Sequence, residues 1–176
     1  MNIPFSPPDI SELEIQEVAQ ALRSGWITTG PRTKQLEKNI AEMVGTERCV
    51  CLNSQTACAE MALHVLGVGA GDEVIVPAYT YTASASVVYH VGARIVLVDT
   101  QEDSLEMDYD ALEKAISPKT KAIIPVDLAG IPCDYDRIFA IVEKKKHLFQ
   151  PASELQRAMG RMAVLADTAH AFGASR

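Results

Sequence analysis

The chain has 176 residues, 48% of them apolar and 22% charged, which is ordinary globular composition. Sixteen Lys and Arg against 23 Asp and Glu give a net charge of -7, so nucleic-acid binding through phosphate neutralisation, which needs a basic face, is not expected. No apolar stretch approaches the ~20 residues of a membrane span. Met1-Asn2-Ile3-Pro4 shows no charged-then-apolar leader, so a cytoplasmic protein with no membrane partner is expected. Four cysteines include no CxxC pair, and the four histidines show no HExxH spacing, so reduced thiols and no metal are expected.

Ser11-Glu12-Leu13-Glu14 has the form of a capping box. It predicts a helix carrying Leu13, Val18, Ala21 and Leu22, stopped near Gly25. Gly25-Trp26-Ile27-Thr28-Thr29-Gly30-Pro31 has no clear period. A second helix is predicted from Arg32 to Val44, with Gly45 as its stop. The pattern then alternates. Arg48–Leu52 reads as a short apolar strand, Thr56–Leu66 as a helix, Glu73–Val76 as a strand and Thr82–Val91 as a buried helix. Arg94–Val98 and Ala122–Val126 are strands, separated by a helix over Tyr109–Ile116 that Asp108 caps. Asp134 caps a helix running to about Lys146, where Lys144-Lys145-Lys146 reads as a solvated helix end. Residues 147–161 are too long for a helix-to-strand loop of ~2–6 residues and read as a surface insertion with a short helix over Ser153–Met159. Ala163–Ala166 is the last strand. Strands alternating with helices imply an α/β fold of three layers, with a mainly parallel sheet covered on both faces.

Three segments at carboxyl ends of strands carry candidate chemistry, since ligands of open parallel sheets bind there. Asn53-Ser54-Gln55-Thr56-Ala57 opens a helix and is either a plain N-cap or an anion cradle. Asp167 stands at the end of the last strand with His170 three residues on. A buried carboxylate there needs a cation, or it caps a following helix; His170 is either a site residue or a satisfied core side chain. Tyr79 and Tyr81 leave a strand end, as ligand-stacking rings or as an ordinary turn. Gly67-Val68-Gly69-Ala70-Gly71-Asp72 follows a helix and precedes a strand, so it reads as a C-cap and turn rather than a dinucleotide loop. An anion cradle, a flat neighbour and a strand-end acid together suit pyridoxal 5'-phosphate, whose pyridine nitrogen needs an acid partner to stay protonated.

The segments GWITTGP (residues 25–31), GDEVIVPAYTYTAS (71–84), TKAIIPVDLAG (120–130) and DTAHAFG (167–173), in this order, resemble the sugar aminotransferases of the DegT/DnrJ/EryC1/StrS family. The resemblance implies the large domain of a PLP-dependent transferase of fold type I, aspartate aminotransferase-like. It implies amino transfer from an amino acid, glutamate above all, to a nucleotide-linked keto sugar in polysaccharide biosynthesis by a homodimer. The GWITTGP wording is shared with members that aminate the 4-keto-arabinose of a UDP-sugar. Residue by residue, it places Gln55, Thr56 and Ala57 on the cofactor phosphate and Tyr81 on the pyridine ring. Asp167 falls on the pyridinium nitrogen and His170 beside the phenolic oxygen, while Thr28 and Thr29 lie near the mouth of a site shared by two subunits.

Gln55 stands where the family has glycine, and Asp127 where it has histidine. The family's Schiff-base lysine is expected beyond Arg176. The chain is therefore read as an N-terminal arm and helix (1–31) and a partial PLP-binding large domain (32–176), with the C-terminal small domain absent and no turnover by itself. A lysine-to-histidine dehydratase of the same family and a non-catalytic cofactor-binding or regulatory piece are the alternatives.

Overall fold

The computed structural model describes residues 7–174, and the leader reading of Met1-Asn2-Ile3-Pro4 lies outside them. Two compact units divide at Cys51/Leu52, so the second predicted helix groups with the N-terminal arm.

The first unit holds α1 (Glu12–Arg23) and α2 (Pro31–Val44). The capping box forms: the Ser11 amide donates to the Glu14 carboxylate at 2.6 Å, and the Ser11 hydroxyl oxygen accepts from the Leu13 amide at 3.2 Å. The Ser11 hydroxyl, then its amide, holds the Glu14 carboxyl below its ordinary range. Arg32 pairs with Glu17 and donates to the Gln20 side chain at 3.2 Å, tying α2 to α1. Between the helices, the Trp26 indole N–H donates to the Thr29 carbonyl at 3.1 Å. This lays the ring against Gly30, the buried N-cap of α2, where a Cβ would collide with it. Glycine is therefore required there for close approach, while Pro31 at the first helical position needs no amide.

Arg48–Leu52 is not a strand, which corrects the sequence reading. Alternation persists, with Cys49 and Cys51 half-buried and Val50 exposed. However, the Cys51 amide donates to the Glu37 carboxylate at 3.0 Å, a side-chain acceptor instead of a neighbouring strand. An apolar run becomes a strand only where another backbone completes its ladder.

The second unit begins with α3 (Gln55–Leu66) and β1 (Glu73–Pro77), followed by α4 (Ala83–His90) and β2 (Arg94–Val98). It continues with α5 (Tyr109–Ala115), β3 (Thr120–Ile123), α6 (Tyr135–Lys145), α7 (Glu154–Met159) and β4 (Ala163–Val164). The four strands are parallel in the order β2-β1-β3-β4. Along β1 the side chains alternate between two cores. Val74 and Val76 join Leu63 and Leu66 of α3 and Val87 and Val88 of α4, whereas Ile75 joins Leu112 of α5 and Ile138 and Val142 of α6. Both faces are covered, so β1 is wholly apolar in its centre, as a doubly buried parallel strand must be.

β3 and β4 end earlier than predicted because Pro125 has no amide to continue a regular ladder. Pairing nevertheless runs on: the Leu165 amide donates to the Ile123 carbonyl and the Asp167 amide to the Pro125 carbonyl, each at 2.9 Å. The Gly67–Asp72 segment is a turn as read, with Gly67 left-handed at φ +73° and the Asp72 carboxylate accepting from the Gly69 amide at 3.1 Å. Among the described residues no helix is long and apolar enough to cross a membrane.

Residues 147–161 do carry the expected short helix, capped by Ser153, yet they are not merely superficial. The Ser153 hydroxyl and the Gln156 amide both donate to the Leu66 carbonyl, at 2.8 and 2.9 Å, closing the C-terminus of α3. Gln156 is 2% exposed and its side-chain oxygen accepts from the Ala152 amide at 2.8 Å.

Two outcomes follow from this packing. Gln156→Leu keeps the volume but strands the Ala152 amide, and is expected to lower unfolding free energy by about 1–3 kcal/mol in a urea titration. Gly30→Ala is expected to expel the indole of Trp26, the only tryptophan, shifting its emission to the red and raising its quenching by acrylamide. Unchanged emission would show that the indole does not depend on this contact.

Candidate active site

Successive crossovers run in opposite directions along the sheet. The chain moves through α4 to β2 on one side of β1, then through α5 to β3 on the other. Such a reversal opens a crevice at the carboxyl ends of the flanking strands. A cavity of about 210 Å³ lies there, lined by Gln55, Thr56, Thr80, Tyr81, Ala83, Ser84, Val126, Leu128, Asp167, Ala169 and His170.

Each lining residue is delivered by a definite element. Thr56 and Gln55 open α3 behind the N-cap Ser54, whose hydroxyl oxygen accepts from the Ala57 amide at 3.1 Å. The cap therefore uses the Ala57 amide, and Ala57 is not on the cavity wall. The first amides of α3, those of Gln55 and Thr56, remain as donors at the positive end of a twelve-residue helix. Tyr81 stands at the mouth, 79% exposed. Thr28 and Thr29 belong to the first unit, and the cavity is built wholly from the second.

Asp167 is 6% exposed at the end of the last strand. Its amide and carbonyl are both engaged with the neighbouring strand, at Pro125 and Asp127. Among the described residues no helix follows, and it caps a turn, with Oδ1 accepting from the Ala169 amide at 3.3 Å. Oδ2 accepts from the buried Ser84 hydroxyl at 3.2 Å. A serine hydroxyl has one proton. With that proton directed to Asp167, Ser84 must accept from the Thr80 hydroxyl, which lies 3.2 Å away. Two hydroxyls thus form a short relay that ends on the carboxylate and sets its orientation. Sequence reasoning missed Ser84 and Thr80. Their i, i+4 spacing across the start of α4 was the available signal, but nothing local revealed that Asp167 would meet them from 83 residues away.

His170 lines the same cavity, and its Nδ1 accepts from the Ala129 amide at 3.3 Å. Asp127 does not line it. Its carboxylate is buried, accepting from the Cys133 amide at 2.8 Å and from the Tyr135 hydroxyl at 2.9 Å. Burial, then the adjacent Asp127 carboxylate, pushes the Cys133 thiol up to about 12, and burial with the hydrogen bond to Asp127 likewise raises the Tyr135 hydroxyl. Both therefore stay protonated at neutral pH.

The site thus unites a helix start with open amides, a carboxylate held by fixed donors, an imidazole and an exposed aromatic. Among the described residues no lysine lines the cavity. Lys121 is buried near the amino end of β3, where it reaches the Gln150 carbonyl and Asp72, and Lys144 pairs with Glu113.

Known proteins share this arrangement of elements. The spore coat polysaccharide biosynthesis protein SpsC of Bacillus subtilis (strain 168) is 43% identical over 141 residues, 80% of this chain and 36% of its own length. The UDP-4-amino-4-deoxy-L-arabinose--oxoglutarate aminotransferase of Shewanella sediminis (strain HAW-EB3) is 39% identical over 97% of this chain and 40% of its own. Among solved structures, Spr1654 of Streptococcus pneumoniae, assigned as a sugar aminotransferase and known in apo, PLP and PMP forms, superposes with a TM-score of 0.95 for the PLP form. It is 61% identical over 98% of this chain and 44% of its own. The chain therefore spans about two fifths of the length of these relatives. Its fold is that of the PLP-dependent aminotransferases. The family match runs over residues 8–176, almost end to end, and the chain belongs to the DegT/DnrJ/EryC1/StrS aminotransferase family.

Proposed function

We propose that this chain forms the cofactor cradle of a pyridoxal 5'-phosphate-dependent aminotransferase that moves an amino group from glutamate to a nucleotide-linked keto sugar. The observation that carries the reading is the convergence of Asp167 and Thr56 on one cavity, although they stand 111 positions apart in the chain. A buried carboxylate aimed into a cavity calls for a cationic or protonated partner, and a helix start calls for an anion. Pyridoxal phosphate has both ends, and Tyr81 and His170 add an aromatic face and a ring donor on the same wall.

When bound, the cofactor supplies an electron sink for charge that develops on the substrate carbon. The Thr56 hydroxyl and the Gln55 and Thr56 amides bind its phosphate, with the α3 dipole in support. Asp167 holds a proton on the pyridine nitrogen. Ser84 and Ala169 donate to the two carboxylate oxygens, so little reorganisation accompanies the charge change. The apolar side chains of Val126 and Leu128 reduce water on that wall. Gln55, longer than the family's usual glycine, adds a side-chain amide to the phosphate end. Thr28 and Thr29 serve the substrate side of a site shared in a cytoplasmic homodimer. Proton transfer at the substrate carbon is assigned to a lysine, and among the described residues no lysine lines the cavity, so this chain alone is expected to be inactive.

Equilibrium dialysis of the full chain against pyridoxal 5'-phosphate tests the cradle. Asp167→Ala and Thr56→Val are each expected to weaken binding at least about tenfold, or ~1.4 kcal/mol. Equal affinity in wild type and both variants would overturn the reading. The chain is also expected to give no transamination between glutamate and a UDP-linked 4-keto sugar, and a measurable rate would refute that part.

A further inference from the structure

The loop after β3 is held in an unfavourable shape. Ala129 has φ +56° and ψ +26°, and it is the one non-glycine with positive φ among the described residues. Left-handed backbone is disfavoured at an L-residue and persists only where surrounding contacts over-determine it. Gly130 follows at φ +82°, and a Cβ there would touch the His170 carbonyl at 3.5 Å.

Asp127 supplies the over-determination. It sits at the base of the loop, its amide fastened to the Asp167 carbonyl at 3.0 Å. Its carboxylate reaches across to the far end, where Oδ1 accepts from the Cys133 amide at 2.8 Å. The Tyr135 hydroxyl lies 2.9 and 3.0 Å from the two carboxylate oxygens. The five residues 128–132 are thus bridged by one buried side chain, 2% exposed. The consequence of the bridged shape is the direction of the Ala129 amide, which meets His170 Nδ1 at 3.3 Å.

A backbone N–H can only donate, so Nδ1 must be the unprotonated nitrogen and the neutral ring carries its proton on Nε2. From this geometry we infer that Asp127 is a positioning residue: through the strained Ala129 amide it locks His170 as the Nε2–H tautomer, making the imidazole a hydrogen-bond donor toward an oxygen acceptor in the cavity. The lock follows from the chain's own contacts. The identity of the acceptor, the oxygen substituent of the cofactor ring, rests on the reading proposed above.

The full isotopically labelled chain, free of cofactor, tests the lock by NMR. The Ala129 amide is expected to exchange at least about tenfold more slowly than an open amide. His170 Nδ1 is expected to be the hydrogen-bonded, unprotonated nitrogen. Both signatures are expected to vanish in Asp127→Ala, and Ala129 protection in His170→Phe. Asp127→Asn keeps an oxygen for the Cys133 amide and is expected to restore them. Should Asp127→Ala fail to fold, Tyr135→Phe removes one donor to the carboxylate and is expected to lower Ala129 protection severalfold. A proton on Nδ1 in the wild type would overturn the inference, as would unchanged Ala129 exchange in the folded Asp127 or Tyr135 variant. Pyridoxal phosphate affinity is a separate arm. If the NMR signatures hold while Asp127→Ala binds the cofactor as tightly as wild type, the lock stands and its link to the cofactor falls.

Discussion

The parallel pairing that extends beyond β3 and β4 is the constraint on which the site depends. Asp167 donates its amide to Pro125 and accepts at its carbonyl from Asp127, so its backbone is pinned on both sides. Slipping that pairing by one residue would turn the carboxylate to the other face of the sheet. The same short stretch also fixes Asp127 and, through it, the loop that faces His170. One piece of main-chain hydrogen bonding therefore sets both the acid and the imidazole.

Side chains around that pairing divide the work by their chemistry. The Ser84 hydroxyl, backed by that of Thr80, and the Ala169 amide supply donors to Asp167, on the wall that a ligand would meet. Asp127 instead receives donors from structure alone, the Cys133 amide and the Tyr135 phenol. Two buried carboxylates on paired backbone thus have opposite roles: one faces the ligand space and the other braces backbone. Buried charge is tolerated in both because each oxygen is given a hydrogen bond.

Much of the second unit was legible from local pattern. A continuous β-branched run marked the doubly covered strand Glu73–Pro77, and a like run marked Arg94–Val98, an outer strand that is only partly buried. Ser54, Asp108, Asp134 and Ser153 marked helix starts, and each accepts the expected amide. The strand predicted over Arg48–Leu52 was misread because its signal is one of burial, and burial alone does not supply a ladder partner. The anchoring of residues 147–161 was illegible for a related reason: Gln156 is a surface residue by type, and only the Leu66 carbonyl, ninety residues earlier, gives its amide a reason to be buried.

From sequence alone came the alternation of strands and helices, the caps, the likeness to the aminotransferase family, and the residue types that an anion and a ring cation would need. These are set by periodicity and by side-chain chemistry, which are properties of short segments. Tertiary structure decided which of those residues meet. It placed Thr56 and Asp167 on one cavity, brought Ser84 to the carboxylate, moved the Ala57 amide into the cap and turned Asp127 away from the ligand space into the loop. The physical reason is that a hydrogen bond or an electrostatic contact depends on separation in space to within a fraction of an ångström, and strand order and register set that separation, not distance along the chain.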